Sequence, residues 1–478
     1  MKVEIPSISN NTVKDLHLFY QHLKSKHHSA VKAHPANDNP TIAIVGAGLS
    51  GLTAAKALTS HGINVILIEA RDRVGGRIES LQLSDNLFVE MGAQFIHGAK
   101  DNPLFNISDH YHLEMIPYTK SAWGLYDMDG QELDKNQLND LVDEYKEQIK
   151  VLNLSRQSDD KDRFTVEDLK YIDKQLLKHK AITSRDLQSL AKMISIKELK
   201  HEKLFSYKLG MNKKESESNF LVTNGYSKLT DGLLSEAKKT GLIEIHYSTE
   251  VQKIDHHSDE VIVHVKNKGA VHADALICTL PLGVLQNGNV VFEPLLPKSK
   301  AKAIKNIKCA NHNKVIMQFE DVFWDNYSHF VVLYDPTLEA WLDIMNLQHF
   351  TTQKSPILVS SVYSNIDFNL PEDKFLVNHC VNIFKRMYPD TFRPLIKSWV
   401  THWDKDPYAF GSYSYHPHGS SLEDNTIIAK PVGRLLFAGE HTHRSPSNLQ
   451  AAYLSGLESA KQAIDQLLFI YQSIANNK

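Results

Sequence analysis

Cysteine is scarce in this chain of 478 residues, which contains only three of them. They are Cys278, Cys309 and Cys380, an odd number spread widely along the sequence. Such a pattern indicates neither a disulfide framework nor a pair of metal-binding thiolates. We therefore expect a reducing compartment, and the cytoplasm is the predicted location.

Long apolar runs and long basic runs are also missing. No apolar run approaches the ~18 residues of a membrane-spanning helix, and the N-terminus lacks the apolar core of a secretory signal. The formal net charge of -3 argues against nucleic-acid binding. We therefore expect a soluble protein that binds neither membranes nor nucleic acid. Its length predicts two hydrophobic cores.

Residues 41–77 hold the most informative pattern, in which a strand, a glycine turn, a helix and a second strand follow one another. Gly46 permits a tight turn, Gly48 lets the backbone approach a pyrophosphate, and Gly51 lets the helix pack closely on the sheet. Glu69 ends the second strand where a carboxylate that binds a ribose hydroxyl is expected. The sequence therefore predicts a dinucleotide site, with the phosphates at a helix N-terminus.

The run at residues 71–77, RDRVGGR, resembles the extension that follows the first βαβ unit in the flavin amine oxidase superfamily. There, the glycines and the second arginine line the FAD pyrophosphate and ribityl chain. Adjacent glycines free backbone amides, and arginine offers several donors to phosphate oxygens. Taken alone, the run fits a basic surface loop equally well.

Three later segments share this resemblance. Residues 435–456 are similar to the second FAD signature of the superfamily, with Gly439 and Glu440 beside the phosphates and a helix that begins at the flavin. Residues 403–415 resemble the segment that covers the flavin in polyamine oxidases and lysine-specific histone demethylases. Residues 274–285 resemble a strand and Pro-Leu-Gly turn of polyamine oxidases. The similarity therefore extends from residue 41 to the end, except in the middle.

The resemblance implies an α/β fold, with a discontinuous Rossmann-like FAD-binding domain and an α+β substrate-binding domain. It implies that FAD is contacted by Gly46, Gly48, Leu49, Ser50, Gly51, Glu69, Ala70, Arg71, Gly76, Arg77, Gly92, Ala93, Gln94, Val251, Trp403, Gly439, Glu440, Asn448 and Leu449.

Four side chains are implied in the chemistry. Lys314 matches the lysine that bonds through a water to flavin N5, and burial near the ring is expected to lower its pKa. Tyr413 and Tyr453 match the aromatic walls in front of the flavin. His97, in the run EMGAQFIHG, matches a histidine beside the amine in polyamine oxidases and could relay a proton. The alternatives are an exposed strand lysine, tyrosines of the core, and an ordinary loop histidine.

The expected function is an FAD-dependent amine oxidase acting on a polyamine, with an amine and O2 as partners. Hydride passes from the carbon next to the amine to flavin N5, O2 becomes H2O2, and the imine hydrolyses. Ser412 stands where monoamine oxidases carry the cysteine that attaches their flavin, so non-covalent FAD is expected. Oxidation of monoamines or L-amino acids, or a non-catalytic FAD-binding scaffold, are the alternatives.

The expected FAD-binding domain comprises residues 41–98, 221–289 and 397–478, and the substrate-binding domain comprises residues 99–220 and 290–396. In the latter, helices are expected at 144–154, 165–178 and 184–199, and strands at 315–319 and 357–363. The middle insertion and N-terminal domain of the histone demethylases are not recognisable, so a chromatin role is not expected.

Residues 1–40 lie outside the family pattern. Residues 13–28 predict an amphipathic helix with Leu16 on its apolar side, which packs on the body of the protein or contacts a second copy of the chain. The segment contains five histidines without a completing cluster of Cys or carboxylates, so no metal site is predicted. They are His17, His22, His27, His28 and His34.

Overall fold

The structure is a computed structural model of the chain. It describes residues 7–9, 11–12, 14, 16, 18, 39–85, 87–99, 102–118, 123–133, 219–257, 260–267, 269–335, 340–364, 371–417 and 420–476. The helices expected at 144–154, 165–178 and 184–199 and the five N-terminal histidines lie outside these residues.

The described chain contains runs of strands that are interrupted by single helices. The strands are β1 (Thr41–Val45), β2 (Asn64–Ile68), β3 (Ser80–Ser84), β4 (Leu87–Glu90), β5 (Phe95–His97), β6 (Met115–Tyr118), β7 (Trp123–Tyr126), β8 (Asn219–Val222), β9 (Ile243–His246), β10 (Val251–Asp255), β11 (Val261–Val265), β12 (Gly269–Ala273), β13 (Ala275–Cys278), β14 (Val291–Glu293), β15 (Lys308–Phe319), β16 (His329–Asp335), β17 (Ala340–Asn346), β18 (Ile357–Ser364), β19 (Leu395–Val400), β20 (Tyr413–Tyr415) and β21 (Leu435–Phe437). The α-helices are α1 (Leu49–Ser60), α2 (Pro103–Ile107), α3 (Ser227–Lys239), α4 (Leu282–Asn287), α5 (Lys298–Asn306), α6 (Asp373–Met387), α7 (Leu422–Ala429) and α8 (Leu449–Asn476). Short 3₁₀ turns are formed by Leu347–Phe350 and Glu440–Thr442.

The chain divides into two compact units. The first comprises Met1–Tyr118, Ser216–Asn311 and His402–Lys478, and the second comprises Thr119–Glu215 and His312–Thr401. Each unit is therefore assembled from separated pieces of chain. The sequence predicted domain boundaries after residues 98, 289 and 396. In the structure the corresponding boundaries come later, after residues 118, 311 and 401.

A parallel sheet with the strand order β21-β13-β1-β2-β9 lies at the centre of the first unit. Every residue of β1, with the sequence TIAIV, and of β2, with the sequence NVILI, is buried. Continuous apolar strands of this kind are typical of parallel sheets that are covered on both faces. Gly46 follows β1 and Glu69 follows β2, so both lie at the carboxyl ends of the strands, where open parallel sheets bind ligands.

Three smaller sheets complete the first unit. Their strand orders are β12-β11-β10-β14, β3-β4 and β5-β8-β6. In addition, β20 pairs with Lys308, Cys309 and Ala310 of β15, so that the segment before α7 is held to this unit.

The second unit is built on a sheet with the strand order β19-β15-β18-β17-β16-β7. Helix α6 buries Leu376, Cys380 and Phe384 in the same apolar cluster as Phe319 and Phe330 of the sheet. The strands predicted at 315–319 and 357–363 are confirmed by β15 and β18.

Two of the described N-terminal residues pack in the core of the first unit. Leu16 is fully buried in the core that also contains the residues of α1, and Ile8 packs against that core. Leu18, two residues further on, is 58% exposed. The prediction that Leu16 packs on the body of the protein is confirmed. The three cysteines are buried and unbridged.

Candidate functional site

The glycine turn between β1 and α1 leaves backbone accessible to a ligand. Gly46 has a φ of +103°, which favours glycine, and a Cβ at Gly51 would lie 2.0 Å from the Gly46 carbonyl oxygen. A Cβ at Gly48 would meet only the Gly75 carbonyl oxygen, at 4.0 Å. The protein's own packing therefore requires glycine at positions 46 and 51, whereas the space beside Gly48 is available to a bound group.

Helix α1 begins at this turn with its side chains directed inward. Gly48 is the N-cap and makes no side-chain capping bond. Leu49 is buried in the core, and Ser50 Oγ donates to the Ala452 carbonyl at 2.6 Å and lies 3.1 Å from Ser455 Oγ. The first-turn N–H groups of a helix have no intrahelical acceptor, so this end of α1 suits an anion.

Glu69 is buried at the end of β2 and is oriented by two backbone amides. The Ala47 N–H donates to Oε2 at 2.7 Å, and the Arg71 N–H donates to Oε1 at 2.8 Å. Because a carboxylate oxygen can accept more than one hydrogen bond, both oxygens retain capacity for hydroxyl donors. The half-buried Ala70 lies between these two anchored residues.

The loop that contains Gly75, Gly76 and Arg77 lies directly against the glycine turn. The Gly75 N–H donates to the Ala47 carbonyl at 2.9 Å, and a Cβ at Gly76 would lie 3.3 Å from Gly48 Cα. The structure therefore brings together two glycine segments that were both assigned to FAD from the sequence.

The half-buried Arg77 and the buried Glu440 form an ion pair between this loop and the C-terminal segment. Arg77 Nη1 lies 3.1 Å from Glu440 Oε1 and donates to the Ser412 carbonyl at 3.0 Å. Glu440 also accepts from Ser414 Oγ at 2.5 Å and from the Ser447 N–H at 3.0 Å. Burial raises the pKa of Glu440, but Arg77, His441 and these hydrogen bonds outweigh it and hold the pKa below its usual range. Glu440 is therefore ionised at neutral pH.

Gly439 and the turn before α8 are fixed by serine and asparagine side chains. The Gly439 N–H donates to Ser455 Oγ at 3.0 Å. Asn448 Oδ1 accepts from the Ala451 N–H at 2.8 Å, so Asn448 caps the start of α8. Leu449 packs against the core of the first unit.

Gly92, Ala93 and Gln94 follow β4 and lie next to Arg77 and Trp403. A Cβ at Gly92 would lie 2.0 Å from the Arg77 carbonyl oxygen and 3.3 Å from the Trp403 ring. The Ala93 N–H donates to the Arg77 carbonyl at 3.1 Å, and the Gln94 carbonyl accepts from Val222. The structure therefore brings Trp403 next to Gly92, and both residues were assigned to FAD from the sequence.

Val251, which was expected to contact FAD, is a buried residue at the start of β10 and is paired with Val265 of β11. The neighbouring Thr249 N–H donates to the Glu69 carbonyl at 2.9 Å. Val251 therefore lies two residues after Thr249, which is hydrogen-bonded to Glu69, the predicted ribose-binding residue.

The predicted catalytic residues of the first unit lie on three elements. Tyr413 is half-buried in β20, and burial raises its pKa to about 12. Tyr453, in α8, packs partly against the core. Its pKa is raised, mainly by burial and to a lesser extent by the negative charge of Glu236. His97 is exposed at the end of β5, with Nδ1 3.2 Å from Asn219 Oδ1.

Lys314 lies in β15 of the second unit. It is buried, with 4% of its surface exposed, so an exposed strand lysine is excluded. Its N–H donates to Thr401 Oγ1 at 2.8 Å, and its carbonyl accepts from the Thr401 N–H at 3.0 Å. Thr401 therefore fixes the backbone that carries this lysine.

Four residues of the site were not predicted from the sequence. Ser414 and Ser447 bind Glu440, Ser455 joins Gly439 to Ser50, and Asp406 pairs with Arg71. Serine in a loop or helix carries no pattern of its own, and these partners are far apart in the sequence. The only available signal is the position of all four inside the two C-terminal segments that resemble the superfamily.

The model of the family described as flavin containing amine oxidoreductase matches residues 49–464. The chain belongs to this family. It is accordingly a flavin-dependent amine oxidoreductase with FAD as its cofactor, and the family acts on amines with O2. The resemblance drawn from the sequence is confirmed.

Relatives of this flavin containing amine oxidoreductase include oxidases and demethylases. Polyamine oxidase 4 of Oryza sativa subsp. japonica is 27% identical over 446 residues, which cover 90% of this chain and 89% of that protein. Polyamine oxidase 2 of Arabidopsis thaliana is 27% identical over 460 residues, covering 91% and 90%. Lysine-specific histone demethylase 2 of Homo sapiens is 28% identical over 481 residues, covering 89% of this chain but 53% of that protein.

The residues present fit FAD. The open backbone at Gly48 and the start of α1 suit the pyrophosphate, and Glu69, already oriented by two amides, suits a ribose hydroxyl. In the part of the chain that the structure describes, no helix has the length and apolarity to cross a membrane. No group of three or more His, Cys, Asp or Glu residues suited to a metal ion occurs among the same residues.

Proposed function

We propose that this protein is a polyamine oxidase, with FAD held on a Rossmann-like sheet in the first unit. The observation that carries the proposal is the match to plant polyamine oxidases along nearly their whole length, 89% and 90% for the rice and Arabidopsis proteins. The human demethylase is matched over 53% of its length.

FAD, when bound, accepts a hydride from the carbon next to the amine nitrogen and passes the electrons to O2. The imine hydrolyses to an aldehyde and an amine, and H2O2 is the second product. The protein's task is to orient the amine, remove its proton and exclude water.

Tyr413 and Tyr453 are proposed as the walls beside the reacting amine. Their raised pKa values keep both phenols neutral at physiological pH. A neutral ring attracts an arriving ammonium through its face and adds no negative charge that would keep the nitrogen protonated. Packing of Tyr453 on the core fixes its orientation.

His97 is proposed to accept a hydrogen bond from the amine. If Nδ1–H donates to Asn219 Oδ1, Nε2 is the acceptor of that tautomer. The rings of Phe95 and Tyr118, whose centroids are 4.6 Å apart, lie on the same small sheet. The exposed end of β5 thus places the His97 imidazole on the same small sheet as the aromatic rings of Phe95 and Tyr118.

Lys314 is proposed to hold the water that bonds to flavin N5, and Ser412 to leave the cofactor unattached. Thr401 restrains the Lys314 backbone through two hydrogen bonds, which suits a group that must position a water. We further propose a cytoplasmic location, consistent with three buried, unbridged cysteines.

The test is a peroxide assay with the purified protein on spermine, spermidine, N-acetylated polyamines, putrescine, benzylamine, L-amino acids and a methyl-lysine peptide. The ratio of kcat/KM for spermidine to that for benzylamine is then compared in wild type and His97→Ala from about pH 6 to about pH 10. We expect the polyamine to be preferred and the substitution to lower the ratio, because a monoamine lacks the second charge that fixes its position.

His257→Ala is the control, because His257 is exposed and pairs only with Asp255 among the contacts described. A wild type that prefers benzylamine, an amino acid or the peptide would contradict the polyamine assignment. An unchanged ratio in His97→Ala would remove His97 from the site.

A further inference from the structure

Residues 402–411 form a compact loop that is bonded to itself. The Asp406 N–H donates to the His402 carbonyl at 2.9 Å, and the Phe410 N–H donates back to the Asp406 carbonyl at 2.9 Å. The Gly411 N–H closes the loop on the Trp403 carbonyl at 2.7 Å. Backbone hydrogen bonds within the loop therefore hold it together between β19 and β20.

Two side-chain contacts attach this loop to the N-terminal part of the first unit. Trp403 Nε1 donates to the Met91 carbonyl at 3.1 Å. Asp406 Oδ1 lies 2.7 Å from Arg71 Nη2. Both partners of the loop belong to segments assigned to FAD, since Met91 precedes Gly92 and Arg71 follows Glu69 by two residues.

The Arg71–Asp406 pair is an ordered contact. The Arg71 N–H binds Glu69 Oε1, and the Arg71 guanidinium lies over the Tyr408 ring, 5.3 Å from its centroid. The Tyr408 N–H donates to the same Asp406 oxygen at 2.8 Å. The side chains of Arg71 and Asp406 are only 16% and 20% exposed, so water and salt screen the pair weakly.

We propose that Asp406 is a positioning residue that clasps residues 402–411 to Arg71 and thereby sets how long FAD stays bound. In this clasp, defined as the Arg71–Asp406 pair, Arg71 is held beside the ribose-binding Glu69 and the loop that carries Trp403 is kept closed. The inference rests on the FAD site proposed above but not on which amine is oxidised.

An alternative role for Arg71 predicts the opposite sign. If Arg71 acted mainly by attracting the FAD pyrophosphate, Asp406 would weaken that attraction by neutralising part of the charge. Removal of the carboxylate charge would then slow FAD release. A clasp predicts faster release, so the direction of the change decides between the two.

The experiment measures the rate at which free-FAD fluorescence appears after dilution of the holoprotein. For Asp406→Asn we expect release about 10 to 100 times faster, the range of a hydrogen bond between charged groups. Asp406→Glu, which restores the charge, should approach the wild-type rate. Asp465→Asn is the control, because it removes the 2.9 Å ion pair with Lys461 on α8 and should leave the rate unchanged.

Arg71→Gln and the double variant Arg71→Gln with Asp406→Asn complete a cycle, in which the double variant should release FAD no faster than Arg71→Gln. Thermal midpoints of the apoproteins show whether folding is retained. If Asp406→Asn does not fold, Tyr408→Leu carries the test, since it leaves both charges but removes the ring beneath Arg71 and should also speed release.

The proposed clasp would be contradicted if Asp406→Asn released FAD at or below the wild-type rate. Additive effects of the Arg71 and Asp406 substitutions on the release rate would also contradict it. A wild-type protein that binds no FAD would instead contradict the proposed cofactor site. Loss of the polyamine assignment leaves the result intact, because no substrate takes part in the measurement.

Discussion

His441 is an ionisable residue whose burial has a measurable consequence. It is 1% exposed, and neither ring nitrogen has a hydrogen-bond partner among the described residues. Burial lowers its pKa to about 4, with Glu440 opposing this shift and Arg77 and Lys300 adding to it. The folded protein therefore keeps this histidine neutral at a pH where the unfolded chain binds a proton.

We predict that His441 makes the protein less stable as the pH falls from about 6.5 to about 4. The unfolded state binds more protons in this window. The free energy of unfolding therefore decreases as the pH is lowered, by on the order of 3 kcal/mol. Urea unfolding at several pH values measures the slope. His441→Leu should flatten it, and a slope equal to that of the wild type would contradict the prediction.

Lys314→Met should leave FAD bound but slow the reductive or the oxidative half-reaction by about 10 to 1,000 fold, as for a lost positioned proton-transfer group. Stopped-flow absorbance measures the two half-reactions separately. Lys397→Met is the control, because Lys397 is an exposed lysine of β19 in the same unit, over the Trp399 ring. Wild-type rates in both half-reactions would leave Lys314 as a buried structural lysine.

Site residues could be predicted from the sequence where a motif fixes the backbone. Gly46, Gly51 and Glu69 are placed by strand ends and helix packing, which are local, and the structure has them at those positions. Asp406 and Ser455 could not be predicted, because their partners Arg71 and Gly439 are reached only after the chain has folded.

At the scale of elements, the site depends on the close crossing of α1 and α8. A Cβ at Gly456 would lie 2.4 Å from the Ser50 carbonyl oxygen. Ser50 Oγ also donates to the Ala452 carbonyl of α8. The start of α1, which is the proposed phosphate end, is therefore positioned by α8.

Gly456→Ala should destabilise the protein, although alanine is the better helix former. The propensity gain is about 1 kcal/mol, whereas crowding against a backbone oxygen costs about 1 to 3 kcal/mol. Thermal unfolding measures the balance, with Gln462→Ala on the same helix as the control for propensity. A higher melting temperature for Gly456→Ala would show that the crossing can relax.

The strands of both units could be predicted from apolar runs, since β1, β2, β15 and β18 lie where the sequence places them. The order of the strands in the sheets could not be predicted, because strands such as β13 and β21 pair although they are far apart in the chain. Domain boundaries depend on the same long-range pairing, and α5, expected in the substrate-binding domain, belongs to the first unit.

At the scale of the whole molecule, the proposed cofactor contacts come from all three pieces of the first unit. Glu69, Val251 and Glu440 each represent one piece. FAD therefore joins segments that are far apart in the chain, and it should stabilise the folded state by mass action.

We predict that FAD is released unmodified by acid or heat, because Ser412 cannot form the attachment that a cysteine makes. Flavin should appear in the supernatant after precipitation, and added FAD should raise the melting temperature of the apoprotein, with ~2.7 kcal/mol gained at 100 times Kd. FMN, which lacks the adenosine half, should have a smaller effect. Flavin that stays with the precipitate would show covalent attachment.

The position of β21 in the central sheet bears on how the protein is made. β1 and β2 are synthesised early, whereas β21, which pairs with β13, is not available until residues 435–437 leave the ribosome. Until then β13 presents an unpaired apolar edge, a template for pairing with other chains. This edge stays open while residues 279–434 are being made, and sheet closure is expected to be slow because it joins distant segments.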